Sequence, residues 1–358
     1  MLRARKAVSL LKEYHPPLGK RDGLRLDFNE NTAGCSPRVL ERLRSLDGET
    51  LARYPERAKG EAIVAAHLGV AADELLLTNG TDEAIHLLCE TFLEDGDEAL
   101  IVVPTFAMFE IYAAATGARV ISVPAGPNFT FPTDVVISQI TPLTRFIAIA
   151  NPNNPTGAFT ACTDLLRIVE AAPHAAVLID EAYFEFSGET AAPNWRDFSN
   201  LFVSRTFSKA YGMAGLRIGV LMGERGNMSA LRRASSPYNL NSVALACLPE
   251  ALKDQEYIRD YVAQTIEGRQ LLQAELESWG IRSWPSRANF VLLRLGENCS
   301  PFIREMRKRG ILVRDRSNDY GCRDCVRITV GLREHNETLL ASMREAFVEL
   351  GMSARVAR

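Results

Sequence analysis

The hydrophobic rhythm of the chain changes once, near residue 255. Through the middle, short runs of consecutive apolar residues alternate with stretches of helical period, which predicts a parallel β-sheet with crossover helices. The runs are Leu75–Thr78, Leu100–Val103, Val120–Val123, Phe146–Ala150, Val177–Ile179, Leu201–Ser204 and Ile218–Leu221, at least seven strands. None alternates apolar with polar, so each is expected to lie between two helix layers. After the first run, Asn79-Gly80-Thr81-Asp82 leads into a helix carrying Ala84, Ile85, Leu87 and Leu88. From residue 255 the pattern becomes mixed α+β. It predicts a long helix Tyr257–Trp279, a strand Asn289–Leu295, a helix Pro301–Arg309, strands Ile311–Arg314 and Val326–Val330, and a last helix from Glu334.

A chain of 358 residues is long for one ordinary domain. The expected division is an amino-terminal segment 1–44 that joins the small domain, a large domain 45–245, and a small α+β domain 246–358. The fold class is α/β, with a mostly parallel seven-stranded sheet between helices. No internal repeat or low-complexity linker interrupts it.

Nearly half the residues are apolar, about a quarter are charged, and the net charge is −3. That balance implies no nucleic-acid partner and no anionic membrane partner. The basic cluster Arg3, Arg5 and Lys6 is followed by no apolar core of a signal peptide, and no run is long enough to span a bilayer. Seven scattered cysteines suit a reducing cytoplasm. Cys322 and Cys325 have C-x-x-C spacing, but no second ligand pair stands at zinc spacing and no metal is expected.

Four stretches at strand ends carry chemistry. Lys209 follows the strand Leu201–Ser204 within Thr206-Phe207-Ser208-Lys209. A lysine that attacks a carbonyl to form a Schiff base must be partly desolvated, so that its pKa falls. Thr206 and Ser208 can donate to a phosphate, and Arg217 can add a charged fork. Gly80, Thr81 and Asp82 open a helix after a strand, where free N–H groups bind anions. Asn151-Pro152-Asn153-Asn154-Pro155-Thr156-Gly157 and Asp180-Glu181-Ala182-Tyr183 lie at the carboxyl ends of their strands, where open α/β sheets bind ligands. Each stretch also has a bland reading as a strand-end lysine, a helix cap, a tight turn or a strand terminus. Together they supply a phosphate cup, an amide, a carboxylate and a lysine, the set that pyridoxal 5′-phosphate (PLP) requires. Neither nucleotide-binding glycine motif is present.

The chain resembles the PLP-dependent aminotransferases of fold type I, and within them the histidinol-phosphate aminotransferases. The resemblance runs through LDFNEN (26–31), RYPE (53–56), TNGTDEAI (78–85), NPNNPTG (151–157), IDEAYFEF (179–186), RTFSKAYGMAGLRIG (205–219) and VRITVG (326–331). It implies that Lys209 carries the cofactor and shuttles a proton, that Asp180 pairs with the pyridine nitrogen, and that Asn154 and Tyr183 donate to the ring oxygen. It implies a phosphate cup of Gly80, Thr81, Asp82, Thr206, Ser208 and Arg217. Tyr54 is then the residue that reaches the neighbouring subunit's phosphate, making a homodimer with shared active sites.

Arg327 resembles the clamp for a substrate carboxylate, Arg314 and Tyr14 the family's second substrate pair, and Asn29 a substrate neighbour. Two positions depart from the pattern. Phe106 stands where the family stacks a tyrosine on the ring, and Glu30-Asn31-Thr32 replaces Glu-Asn-Pro. Arg314 and Tyr14 favour a phosphorylated imidazole amino alcohol, exchanged with glutamate and 2-oxoglutarate. Relatives that transaminate aromatic amino acids or decarboxylate threonine phosphate are the alternatives, and Phe106, Phe109 and Tyr112 could line an aromatic pocket. A non-catalytic PLP-binding protein is a third reading, which the complete catalytic set disfavours. Arg316 and Arg323 read as solvated surface residues.

Overall fold

A computed structural model describes residues 2–15, 19 and 21–352. In chain order its strands are Leu24–Arg25 (β1), Leu75–Thr78 (β2), Glu98–Val103 (β3), Arg119–Pro124 (β4), Thr144–Ala150 (β5), Ala176–Asp180 (β6), Leu201–Thr206 (β7), Gly219–Gly223 (β8), Arg282–Ser283 (β9), Phe290–Arg294 (β10), Ile311–Leu312 (β11), Arg314–Asp315 (β12) and Cys325–Thr329 (β13). The seven apolar runs of the middle are all strands of one sheet, in the order β2-β8-β7-β6-β5-β3-β4. Only β8 runs against its neighbours. The crossovers between the parallel strands are helical, as the length of such connections demands.

Apolar side chains pack on both faces of this sheet. Each fully buried Leu, Ile or Val there contributes about 1.5–3 kcal/mol. The expectation of two-sided burial fails at β4. It is an edge strand, paired only with β3, and most of its residues keep some exposure. An apolar run looks alike at the centre and at the edge of a sheet; pairing decides which it becomes.

The carboxyl-terminal part builds a second sheet, β12-β13-β10-β9, packed on the helices Cys299–Lys308 and Arg333–Glu349 through a separate apolar core. One continuous helix, Gln255–Ser278, serves both cores. Ile258 and Tyr261 are buried in the first, and Leu272 and Leu276 in the second.

The single strand expected over Ile311–Arg314 is divided between two sheets. β11 pairs in parallel with β1 from the amino-terminal segment, whereas β12 pairs with β13. The short upstream strand captures two residues and leaves the next two to the other ladder. The amino-terminal segment touches both parts of the molecule. Leu26 lies in the second core, and the Asn31 amide donates to the Ala210 carbonyl at 2.8 Å, one residue beyond Lys209. Where the family pattern has proline, the Thr32 hydroxyl accepts from the Leu332 N–H at 3.1 Å. Among the described residues no helix is long and apolar enough to cross a membrane.

Candidate active site

The parallel strands β5, β6 and β7 end along one edge of the large sheet, beside the start of the helix Gly80–Phe92. The amino-terminal segment and the β12–β13 pair close the opposite side. Between them lies a cleft of about 700 Å³, within the ~300–1,000 Å³ usual for small-molecule sites. It brings together Tyr14, Asn29, Thr81, Asp82, Phe106, Asn154, Asp180, Tyr183, Thr206, Ser208, Lys209, Arg217, Arg314 and Arg327. Gly80 stands at the same helix start, and its backbone opens the helix.

Lys209 is the one lysine among the described residues that lines the cleft. Its amine donates to the Phe28 carbonyl at 3.1 Å. Burial brings its pKa down to about 8, and the Arg327 charge pushes the same way. A useful share of the amine is therefore neutral, and so nucleophilic, near neutral pH. Asp180, at the end of β6, is 5% exposed and receives the Ser204 hydroxyl at 2.7 Å. Burial raises its carboxyl to about 7, so an incoming cation would restore its charge.

Tyr183 is oriented from the amino-terminal segment. Asn29 donates its amide N–H to the phenol oxygen at 2.8 Å, while the Thr329 hydroxyl donates to the Asn29 amide oxygen at 3.2 Å. Asn29 thus spends its side chain on holding Tyr183 to the small sheet, a contact across 154 residues that no local pattern announces. Asn154 has its amide oxygen taken by Arg327, which leaves its N–H groups free to donate. The second Arg327 terminal nitrogen donates to the Asp27 carbonyl at 2.7 Å. The Arg327 Nε is buried without a partner.

The anion cradle forms where β2 turns into its helix. No side chain caps that helix, so its first N–H groups point into the cleft. Gly80 adopts φ +73°, and a Cβ there would stand 2.4 Å from an Arg217 terminal nitrogen. Only glycine permits both the backbone and the close approach. Arg217 itself is left-handed, φ 52°, and donates to Asp82 at 3.1 Å. The Thr206 hydroxyl accepts from the Ser208 N–H at 3.1 Å and keeps its own proton for another acceptor.

Arg314 donates to the Tyr14 hydroxyl at 3.1 Å, joining residues 300 apart. Phe106 lines the cleft and packs edge-on against Phe109. Tyr54 does not reach the cleft of its own chain. It is 78% exposed and stacks on Tyr238, itself exposed, with ring centres 4.4 Å apart. Arg316 corrects the sequence reading. It is not a solvated residue: its side chain is only 12% exposed, and it lines the cleft. Arg323 is 91% exposed, as expected. Among the described residues no cluster of three or more His, Cys, Asp or Glu could hold a metal.

Residues 21–343 match the family described as Aminotransferase class I and II. The chain belongs to that family. It is 34% identical over 351 residues to histidinol-phosphate aminotransferase 1 of Bacillus cereus (strain ATCC 10987 / NRS 248), covering 96% of this chain and 94% of that one. The fold is that of the histidinol-phosphate aminotransferase from Sinorhizobium meliloti, solved in complex with pyridoxal-5′-phosphate (TM-score 0.88, 24% identity, 98% and 99% of the two chains). It is also similar to L-threonine-O-3-phosphate decarboxylase from Porphyromonas gingivalis (TM-score 0.78, 25% identity, 91% and 99%).

This aminotransferase is a PLP-dependent enzyme of fold type I. Its residues fit the cofactor on their own terms. An uncapped helix start offers N–H groups to an anion, a neutral-prone lysine lines the same cleft, and a buried carboxyl lacks a cationic partner.

Proposed function

We propose that this aminotransferase carries the amino group of L-histidinol phosphate to 2-oxoglutarate, forming imidazole-acetol phosphate and L-glutamate, a step of histidine biosynthesis. The observation that carries the reading is the pairing of Arg314 with Tyr14 beside Arg327. A site for neutral amino acids alone needs one guanidinium, for the α-carboxylate. A second one, tied to a phenol at the cleft mouth, suits a phosphate monoester. The aromatic reading has no such feature in its favour; threonine phosphate is also a phosphate monoester, and what favours histidinol phosphate over it is the agreement of the relatives' names.

In this reading Lys209 holds PLP and moves the proton at the substrate Cα. When bound, the cofactor supplies an electron-poor ring that accepts the charge released there. Asp180 faces the ring nitrogen and keeps it protonated. Asn154 and Tyr183 donate to the ring oxygen, with Asn29 fixing the phenol. Phe106 covers one face of the ring. The helix start at Gly80, with Thr81, Asp82, Thr206, Ser208 and Arg217, receives the phosphate. Arg327 takes the α-carboxylate of glutamate, while Arg314 and Tyr14 take the phosphate of the amino alcohol. The cytoplasm is the compartment that fits seven free thiols.

Tyr54 and its stacked neighbour Tyr238 lie open on the surface. Such a pair suits a homodimer in which each Tyr54 completes the partner's phosphate site. Sedimentation should find a dimer, and Tyr54→Phe should weaken PLP binding by about tenfold, the value of one lost hydrogen bond to a charged group. An active monomer would refute this arrangement. For the substrate, single-turnover reactions of the loaded enzyme should be faster with histidinol phosphate than with phenylalanine by at least about 100-fold in kcat/KM. Equal rates, or carbon dioxide release without a keto-acid acceptor, would overturn the choice.

A further inference from the structure

Three guanidinium groups share one region of the small sheet. Arg314 lies directly across from Arg327 in the β12–β13 pairing. Arg316 is two residues on, and its N–H donates to the Cys325 carbonyl at 2.9 Å, which continues the same ladder. The two-residue period of extended chain turns Arg314 and Arg316 to one face. Asp315, between them, is exposed and accepts from the Ser317 N–H at 2.8 Å. Among the described residues the one carboxylate that meets Arg316 is that of Asp319, three residues along the loop.

This cluster carries more donors than the protein satisfies. Arg314 Nη1, Arg316 Nε and Arg327 Nε are all buried without a hydrogen-bond partner, three donors against one unpartnered acceptor, the Asp319 Oδ2 that ion-pairs with Arg316. Like charges held together out of water are costly unless an anion joins them. Burial does most to lower the Arg327 pKa, and Arg316 leads among the charged groups that push the same way. The arrangement therefore suits an anion with several acceptor oxygens. A phosphate monoester offers three and carries nearly two charges, whereas a carboxylate offers two oxygens and one charge.

We propose that Arg316 is a specificity-determining residue: it exchanges Asp319 for the phosphate of the substrate and, with Arg314, selects a dianion over a carboxylate. The proposal rests on the phosphorylated-substrate reading above. Asp319 holds the guanidinium in position while the cleft lacks an anion, and it competes with the phosphate for the same N–H groups. A fork of parallel donors suits this task better than an ammonium, so Arg316→Lys should recover only part of the function.

The test uses the PLP-loaded enzyme and two variants, Arg316→Gln and Asp319→Asn. Four quantities are read: KM and kcat with histidinol phosphate, KM with glutamate, and inhibition of the glutamate half-reaction by inorganic phosphate. Arg316→Gln should raise the KM for histidinol phosphate on the order of 30-fold, the effect of one charged hydrogen-bonding group. The shift in the glutamate KM should be several times smaller, and kcat should change less than either. Inhibition by inorganic phosphate should weaken in parallel with the histidinol phosphate KM. Asp319→Asn should act in the opposite direction and tighten inorganic phosphate, because the competitor is gone; a merely structural Asp319 would loosen it.

Equal losses for glutamate and phosphate in Arg316→Gln, or weaker phosphate binding in Asp319→Asn, would overturn the proposal. Wild-type enzyme that ignores histidinol phosphate would overturn the substrate reading instead. The inorganic phosphate measurement would then still decide the role of Arg316.

Discussion

Lys209→Ala should abolish transamination, with kcat lower by at least about 10³–10⁴-fold, the scale of a lost positioned proton-transfer group. The enzyme should also lose its visible absorption after incubation with PLP. No other lysine of the described residues lines the cleft. Lys209→Arg is the informative companion. It keeps the positive charge but cannot lose its proton near neutral pH, and it should be equally inactive. The fold should survive both changes.

The sign of the stability effect follows from the lowered pKa. Unfolded chain binds the lysine proton up to about pH 10.5, whereas the folded cofactor-free protein releases it near 8. The penalty for holding the charged amine is full below pH 8 and fades as pH rises toward 10.5. Cofactor-free Lys209→Ala should therefore melt above wild type at pH 7, with the difference closing by pH 10. Melting below wild type at pH 7 would mean that the amine stabilises its pocket.

Asp180→Asn should lower kcat by about 10²–10³-fold, the range found when one preorganised electrostatic partner is removed. The loss arises because an amide cannot hold a proton on the ring nitrogen. The stability of the cofactor-free protein should move the other way. Burial raises the Asp180 carboxyl from 3.8 to about 7. Stability is therefore lost as pH rises through that window, and the full cost of the buried carboxylate is felt above it. Cofactor-free Asp180→Asn should melt above wild type at pH 8 and level with it near pH 4. Loading with PLP should reverse the order at pH 8, because the cationic ring then pairs with the carboxylate. Unfolding curves of both proteins, with and without PLP at the two pH values, check the crossing. The same order in both states would argue that Asp180 does not meet the ring.

The reach of sequence reasoning differs from one feature to the next. Consecutive apolar residues bounded by turn residues located all seven strands of the large sheet to within about two residues, because burial on both faces requires that pattern in every strand except the edge strand β4. The gathering of Lys209, Asp180 and Asn154 in one cleft was legible from the motifs at the strand ends and their order along the chain. Pairings across distance were not legible. The division of 311–315 between two sheets depends on Leu24 and Arg25, almost 300 residues away. The tie from Asn29 to Tyr183 needs the folded small sheet. Arg316 was misjudged because a charged residue between polar neighbours normally faces water. Its period-two relation to Arg314 was available in the sequence, though its burial against Arg327 and Asp319 was not.

The central claim is that Lys209 carries the cofactor. Reduction of the PLP-loaded enzyme with borohydride, followed by peptide mass spectrometry, tests it directly, because the chain has seven lysines in well-separated segments. The account expects one phosphopyridoxyl group per chain, on the peptide containing Lys209. A label on another lysine, or none at all, would contradict it.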